Sequence, residues 1–234
     1  MPAIALLSAC AGNAEITDAG AGGTDSSGGT GGTGVGSGGT DLGGSGGTGP
    51  GACTLYPAQT EGPFFLDLAL VREDITEGKP GAPMTLIIEV LSASSCGPVA
   101  DAVVDVWHCD ADGVYSGFAG QLGGLDTTGQ QFLRGALTTD ASGIVVFQTI
   151  YPGWYPGRTT HIHFKVRPTP TTEATSQLYF PEDATAAVYQ SAPYDARGPK
   201  DTSNIADSIG RNTPVAIVSQ TDDGYEARLT VTIP

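Results

Sequence analysis

The stretch YPGRTTHIH, from Tyr155 to His163, sets a phenol, a guanidinium and two imidazoles close together in a chain of 234 residues with only three histidines. Alternate side chains of a strand share a face, so His161 and His163 would point together with Ile162 turned away. Two imidazoles aimed at one point make half a metal site. An HxH by itself is a weak signal, because most strand histidines are solvated or hydrogen-bonded in a core. Tyr155 strengthens it. Pro152-Gly153 and Pro156-Gly157 flank Trp154 and Tyr155, an irregular loop that gives a core tyrosine little reason to exist. A phenol has a pKa of about 10, so only a strongly acidic cation such as ferric iron would hold it as tyrosinate; zinc more often recruits Cys, His or carboxylate. Two neutral histidines and one phenolate leave a ferric ion net positive. The segment WHCDADGVYSGF (107–118) offers a second anionic oxygen in Tyr115, directly after an Asp-Gly turn.

These residues need a rigid support. Short β-branched runs at 84–91, 102–109, 132–139, 143–149, 161–166, 215–219 and 225–233 read as strands, separated by Gly, Pro, Asp and Ser. DASG (140–143) is short enough for a hairpin, as is TDDG (221–224). ATAAVYQ (184–190) reads as a short helix. The pattern predicts an all-β fold, an antiparallel β-sandwich with few short helices, with barrel closure second.

The first fifty residues do not belong to that fold. Residues 11–51 are built from Gly, Ser, Thr and Ala, the composition of a disordered tether. Residues 52–234 then form one compact domain. Before the tether, residues 1–10 end in LSAC, which resembles a bacterial lipoprotein cleavage box with Cys10 as the lipidated residue, implying an exported, periplasmic or cell-surface, lipid-anchored protein. Export permits a disulfide, and Cys53 and Cys96 lie in loop-like contexts while Cys109 lies in an apolar run, so Cys53–Cys96 is the favoured pair. A net charge of −15, with no run among the ten Lys and Arg, excludes nucleic acid and anionic lipid surfaces as partners. Oligomeric state is left open.

VDVWHCDADGVYSG, FLRGALTTDASGIVVFQTIYPGWYPGRTTHIHFKV and the upstream QTEGPFF resemble the intradiol ring-cleavage dioxygenases, the group of catechol and protocatechuate dioxygenases. The resemblance runs from about Thr54 onward and is strongest over 101–180. It implies one non-haem Fe(III) ion on a β-sandwich, held by Tyr115, Tyr155, His161 and His163. It further implies that Arg158 stabilises developing negative charge, that Gln177 in SQLYF orients Arg158 or a pocket water, and that Pro63 and Phe64 line the substrate pocket. The implied reaction inserts both atoms of O2 between the hydroxyl-bearing carbons of a catechol-type aromatic, giving a cis,cis-muconate-type diacid, with Tyr155 displaced as the catechol binds.

Rival readings are plain ones. Arg158 could pair with one of the 25 acids, and Gln177 could be an ordinary polar strand residue. His108 reads as structural, Trp107 as core, and Asp105, Asp110 and Asp112 as turn and surface residues rather than ligands. A surface-tethered β-sandwich that binds aromatic polymer or carbohydrate without turnover is the main alternative function, and a zinc or copper hydrolytic site is disfavoured by the two tyrosines.

Overall fold

The computed structural model describes residues 53–234. Eight strands form two four-stranded sheets. In chain order they are β1 (Pro83–Ser92), β2 (Val103–Trp107), β3 (Arg134–Thr138), β4 (Ile144–Ile150), β5 (His161–Thr169), β6 (Thr172–Tyr179), β7 (Ile217–Thr221) and β8 (Gly224–Ile233), with one helix, α1 (Glu182–Val188), and a 3-10 turn at Tyr194–Ala196. The sheet orders are β4-β1-β8-β7 and β3-β2-β5-β6. Period-2 alternation builds the core between them. Leu86, Ile88 and Val90 of β1, Val104 and Val106 of β2, Phe147 of β4, Ile162, Phe164 and Val166 of β5 and Val231 of β8 are all buried there.

The architecture is the expected sandwich, with local corrections. The DASG turn closes as expected, with Asp140 Oδ1 accepting from Ser142 N and Ile144 N at 2.8 and 2.9 Å. It does not make a hairpin, because β3 and β4 lie in different sheets and the turn carries the chain across the sandwich. β1 and β8 pair in parallel, whereas every other ladder is antiparallel. The sequence reading omitted β6, whose first half is polar and half-buried or exposed. The TDDG hairpin is present, with Thr221 opposite Gly224. Residues 1–52, including Cys10, the lipoprotein-like segment and the whole of the proposed tether, lie outside the described residues.

Cys53 and Cys96 are bridged, with Cα atoms 5.4 Å apart. The segment that follows Cys53 runs across β6: Gln59 N donates to Thr175 O, Ser176 Oγ to Pro57 O, Tyr56 Oη to Gln177 O, and Gln177 Nε2 to Thr60 O. This strap delivers Gly62–Phe65 to the outer face of the second sheet.

Candidate metal centre and active site

Strand register places the site. In the second sheet Arg134 pairs with Trp107, Trp107 with His163, and His163 with Gln177, while His161 pairs with Tyr179. Directly opposed residues point to the same face. Arg134, Trp107, His163 and Gln177 therefore form one row across four strands, on the face away from the core formed by Ile162 and Phe164. Three segments cover this row: 62–65, 108–118 and 152–158.

Tyr115 arrives on the Asp-Gly turn. Asp110 Oδ1 accepts from Asp112 N and Val114 N at 3.1 and 2.9 Å, closing the turn. The Gln121 side chain then accepts from Tyr115 N and donates to Tyr115 O, at 2.8 and 2.7 Å. Gly153 N donates to Asp110 O at 3.1 Å. A Cβ on Gly153 would stand 2.4 Å from Ala111 O, so only glycine lets the two tyrosine-bearing loops touch backbone to backbone. Gly113 meets Trp154 O from the other side, at a φ of +80°.

Four donor atoms converge. His161 Nε2 lies 3.4 Å from Tyr115 Oη, 3.2 Å from Tyr155 Oη and 3.2 Å from His163 Nε2. Donor atoms this close together would suit a single metal ion bound between them. His161 Nδ1 donates to Thr159 O at 2.6 Å, which leaves the Nε2 lone pair facing the other three donors. His163 stacks on Trp107, with ring centroids 5.1 Å apart and planes 10° from parallel. Phe64 stacks on Tyr115 at 4.3 Å and meets Phe118 edge-on at 5.2 Å. No group of three or more His, Cys, Asp or Glu suited to a metal exists among the described residues; the donor set is two imidazoles and two phenols.

The electrostatics suit a cation. Burial pushes His161 down to about 3 and, with His161 and Arg158 nearby, pushes His163 well below its ordinary value. Both imidazoles are neutral and free to donate lone pairs. Burial raises Tyr155 to about 12 and holds Tyr115 well above its ordinary value. Ionising either phenol here therefore needs a strong Lewis acid at the convergence point. Tyr115 is fully buried while Tyr155 is half-buried, so Tyr155 is the phenol that a molecule entering from solvent reaches.

Arg158 stands at the rim. Its Nε donates to Asp207 Oδ2 at 2.9 Å, Nη2 to Gln177 Oε1 at 2.5 Å, and Nη1 reaches Tyr155 Oη at 3.5 Å. Tyr179 Oη lies 3.0 Å from both Gln177 Oε1 and Gln59 Oε1, and its one proton serves these two acceptors. Gln177 thus orients the arginine directly. Phe64 lies against Tyr115, while Pro63 beside it is exposed.

His108 is structural, as expected: buried, with Nδ1 against Cys109 O and Nε2 against Thr149 Oγ1 at 2.8 and 2.7 Å. Trp107 is buried. Asp105 and Asp110 are also buried rather than on the surface, Asp105 paired with Arg167 and Asp110 with Lys79. Neither belongs to the convergent set.

Sequence reasoning missed Arg134, Gln121, Tyr179 and Asp207. Arg134 is buried and donates to Ser116 Oγ, Ser116 O and Phe64 O at 2.7–2.8 Å, fastening the loops that carry Tyr115 and Phe64. Its signal was a lone charge in the apolar run FLRGALTT. Asp207 sits in a polar loop and gives none.

The family model described as Dioxygenase matches residues 59–193. Chlorocatechol 1,2-dioxygenase of Pseudomonas putida is 33% identical over 145 residues, covering 51% of this chain and 52% of its own length. The chain spans about half the length of the curated relatives that it matches. An intradiol ring-cleavage dioxygenase from Tetranychus urticae superposes with a TM-score of 0.72 at 27% identity, over 77% of this chain and 95% of that one. The dioxygenase domain of a dioxygenase carbohydrate-binding protein fusion from Streptomyces sp. SirexAA-E gives 0.56 at 28%, over 77% and 98%. With its two sheets, its paired tyrosines and its HxH strand end, the chain belongs to the intradiol ring-cleavage dioxygenase family.

Proposed function

We propose that this protein is an exported non-haem Fe(III) dioxygenase that cleaves catechol-type aromatics between their hydroxyl-bearing carbons, using O2 and releasing a cis,cis-muconate-type diacid. The observation that carries the reading is the convergence of Tyr115 Oη, Tyr155 Oη and His163 Nε2 on His161 Nε2 at 3.2–3.4 Å. These four residues would hold the iron. When bound, ferric iron supplies a Lewis acid that favours the doubly deprotonated catechol and makes its ring reactive toward O2.

The remaining work falls to side chains of this chain. Tyr155, which the bound metal would hold as a phenolate, is placed to take up a proton from an incoming catechol hydroxyl and so become the neutral phenol, and its Oη lies 3.5 Å from Arg158 Nη1. Arg158 keeps a fixed positive charge where anionic oxygen develops, and its fixed orientation means that no reorganisation is needed at the moment of reaction. Phe64 and Phe118 form an apolar wall beside Tyr115, which accommodates an aromatic ring and displaces water. Thr159 O holds the His161 tautomer. A binding module would have no use for four convergent donors, so the geometry favours turnover.

The test is a visible absorption spectrum of iron-loaded protein, before and after anaerobic addition of catechol, followed by admission of air. A tyrosinate-to-iron band that shifts with catechol, then diacid product, is expected. Tyr155→Phe should weaken the band and abolish turnover. A protein that stays colourless after iron loading would sink the reading and favour a binding role.

A further inference from the structure

We propose that Asp207 is a positioning residue of this site, one buried carboxylate that fixes the guanidinium of Arg158 and, through Thr159, the tautomer of His161. The inference rests on the dioxygenase reading for its kinetic consequence, but not for its geometry.

Asp207 is fully buried, and its two oxygens have separate duties. Oδ1 accepts from Ile209 N and Gly210 N at 2.8 and 3.0 Å, closing the turn that follows it. Oδ2 faces the site, accepting from Arg158 Nε at 2.9 Å and from Thr159 N at 3.0 Å. Four donors satisfy the carboxylate, and burial, which alone would raise its pKa, is outweighed by the N–H bonds from Thr159, Gly210 and Ile209 and by Arg158.

Two lines run from Oδ2 to the chemistry. Along the first, Asp207 holds Arg158 Nε while Gln177 Oε1 holds Nη2 at 2.5 Å. A planar guanidinium gripped on both sides has no freedom to swing, so Nη1 is aimed at Tyr155 Oη. Along the second, Thr159 N is anchored on Asp207, Thr159 Oγ1 on Asn204 Oδ1 at 2.6 Å, and Thr159 O receives His161 Nδ1–H. Outer partners of this kind set ligand tautomer and ring orientation. A single carboxylate therefore couples the rim cation to a donor imidazole.

Asp207→Asn separates the two duties. Its amide oxygen can still close the 207–210 turn, but its NH2 then faces Arg158 Nε–H and Thr159 N–H, donor against donor. The first measurement is on metal-free, 15N-labelled protein: hydrogen exchange at Arg158 Nε–H and the ring 15N shifts of His161. Wild type should show slow Nε–H exchange and a single Nδ1–H tautomer. Asp207→Asn should speed that exchange at least tenfold and give mixed tautomers. After iron loading it should lower kcat on catechol by about 10–100-fold, with less effect on KM, and Asp207→Glu should restore part of the loss.

Wild-type Arg158 Nε–H exchanging like a free guanidinium overturns the proposal, and this measurement decides even if the Asn variant does not fold. A folded Asn variant that keeps both NMR signatures overturns it too. If both NMR signatures respond but iron-loaded wild type does not cleave catechol, the positioning role stands and the proposed reaction fails instead.

Discussion

Metal-free protein should lose stability steeply between pH 7 and pH 5, because its three histidines are all buried as neutral imidazoles. Burial sets His108 at about 4, His161 at about 3 and His163 well below the ordinary value. In the unfolded chain each returns to about 6.5. Below that value the unfolded state binds protons that the folded state refuses, so folding weakens as pH falls, from near pH 6.5 down to about 4, where His108 begins to accept a proton in the native state. At pH 5 each histidine costs about 2 kcal/mol, or about 6 kcal/mol together, against a typical total of about 5–15 kcal/mol. Asp105, raised by burial, offsets part of this. Asp74, Asp126 and Asp207, all lowered, add to the loss only as pH nears the carboxylate range of about 4. Urea unfolding at pH 7, 6 and 5 tests this. The slope of the logarithm of the unfolding constant against pH should correspond to nearly three protons at pH 5, and to nearly two in His108→Gln. A slope below one proton would refute the claim that these imidazoles are neutral and desolvated.

Three further outcomes are expected. Gly153→Ala would set a Cβ 2.4 Å from Ala111 O and 2.5 Å from Asp110 O; relieving it moves the two tyrosine loops apart by roughly 1 Å, and a misplacement of that size costs about 100-fold in activity, read as lost turnover in a protein that still melts cooperatively. Arg134→Met would leave Ser116 Oγ, Ser116 O and Phe64 O without their donor, lowering stability by about 3 kcal/mol in urea unfolding; Arg134→Lys should recover little, since an ammonium does not reproduce the guanidinium fork. Replacing Cys53 and Cys96 together by serine opens a cross-link of sequence separation 43, worth up to about 4 kcal/mol by chain entropy, seen as a lower melting temperature that no longer responds to reductant.

Much of this site was readable before any coordinates. Tyr115, Tyr155, His161 and His163 lie within turn and strand signals strong enough to fix their local geometry, and period-2 alternation alone puts both histidines on one face. The supporting residues were harder to see. Tyr179 rides on β6, whose early residues Thr172, Glu173 and Thr175 carry little apolar pattern, because that part of the strand faces solvent. The DASG turn was misread for a different reason: a tight turn between two strands looks the same locally whether the strands then pair or part into opposite sheets, and only packing decides. Asp207 reaches Arg158 across 49 positions of sequence, a distance over which composition and spacing carry no information.

The parallel pairing of β1 with β8 has a consequence for how this chain is made. β8 lies between β1 and β7 in the finished sheet, yet follows every other described element in sequence. While a ribosome is still producing it, β1 has β4 on one side and an open edge on the other, with Leu86, Ile88 and Val90 lacking the strand that completes their layer. The sandwich cannot close until synthesis has passed Ile233. Anything that guards a nascent chain would have to shield that open edge until then, because an unpaired apolar strand edge invites pairing with other chains.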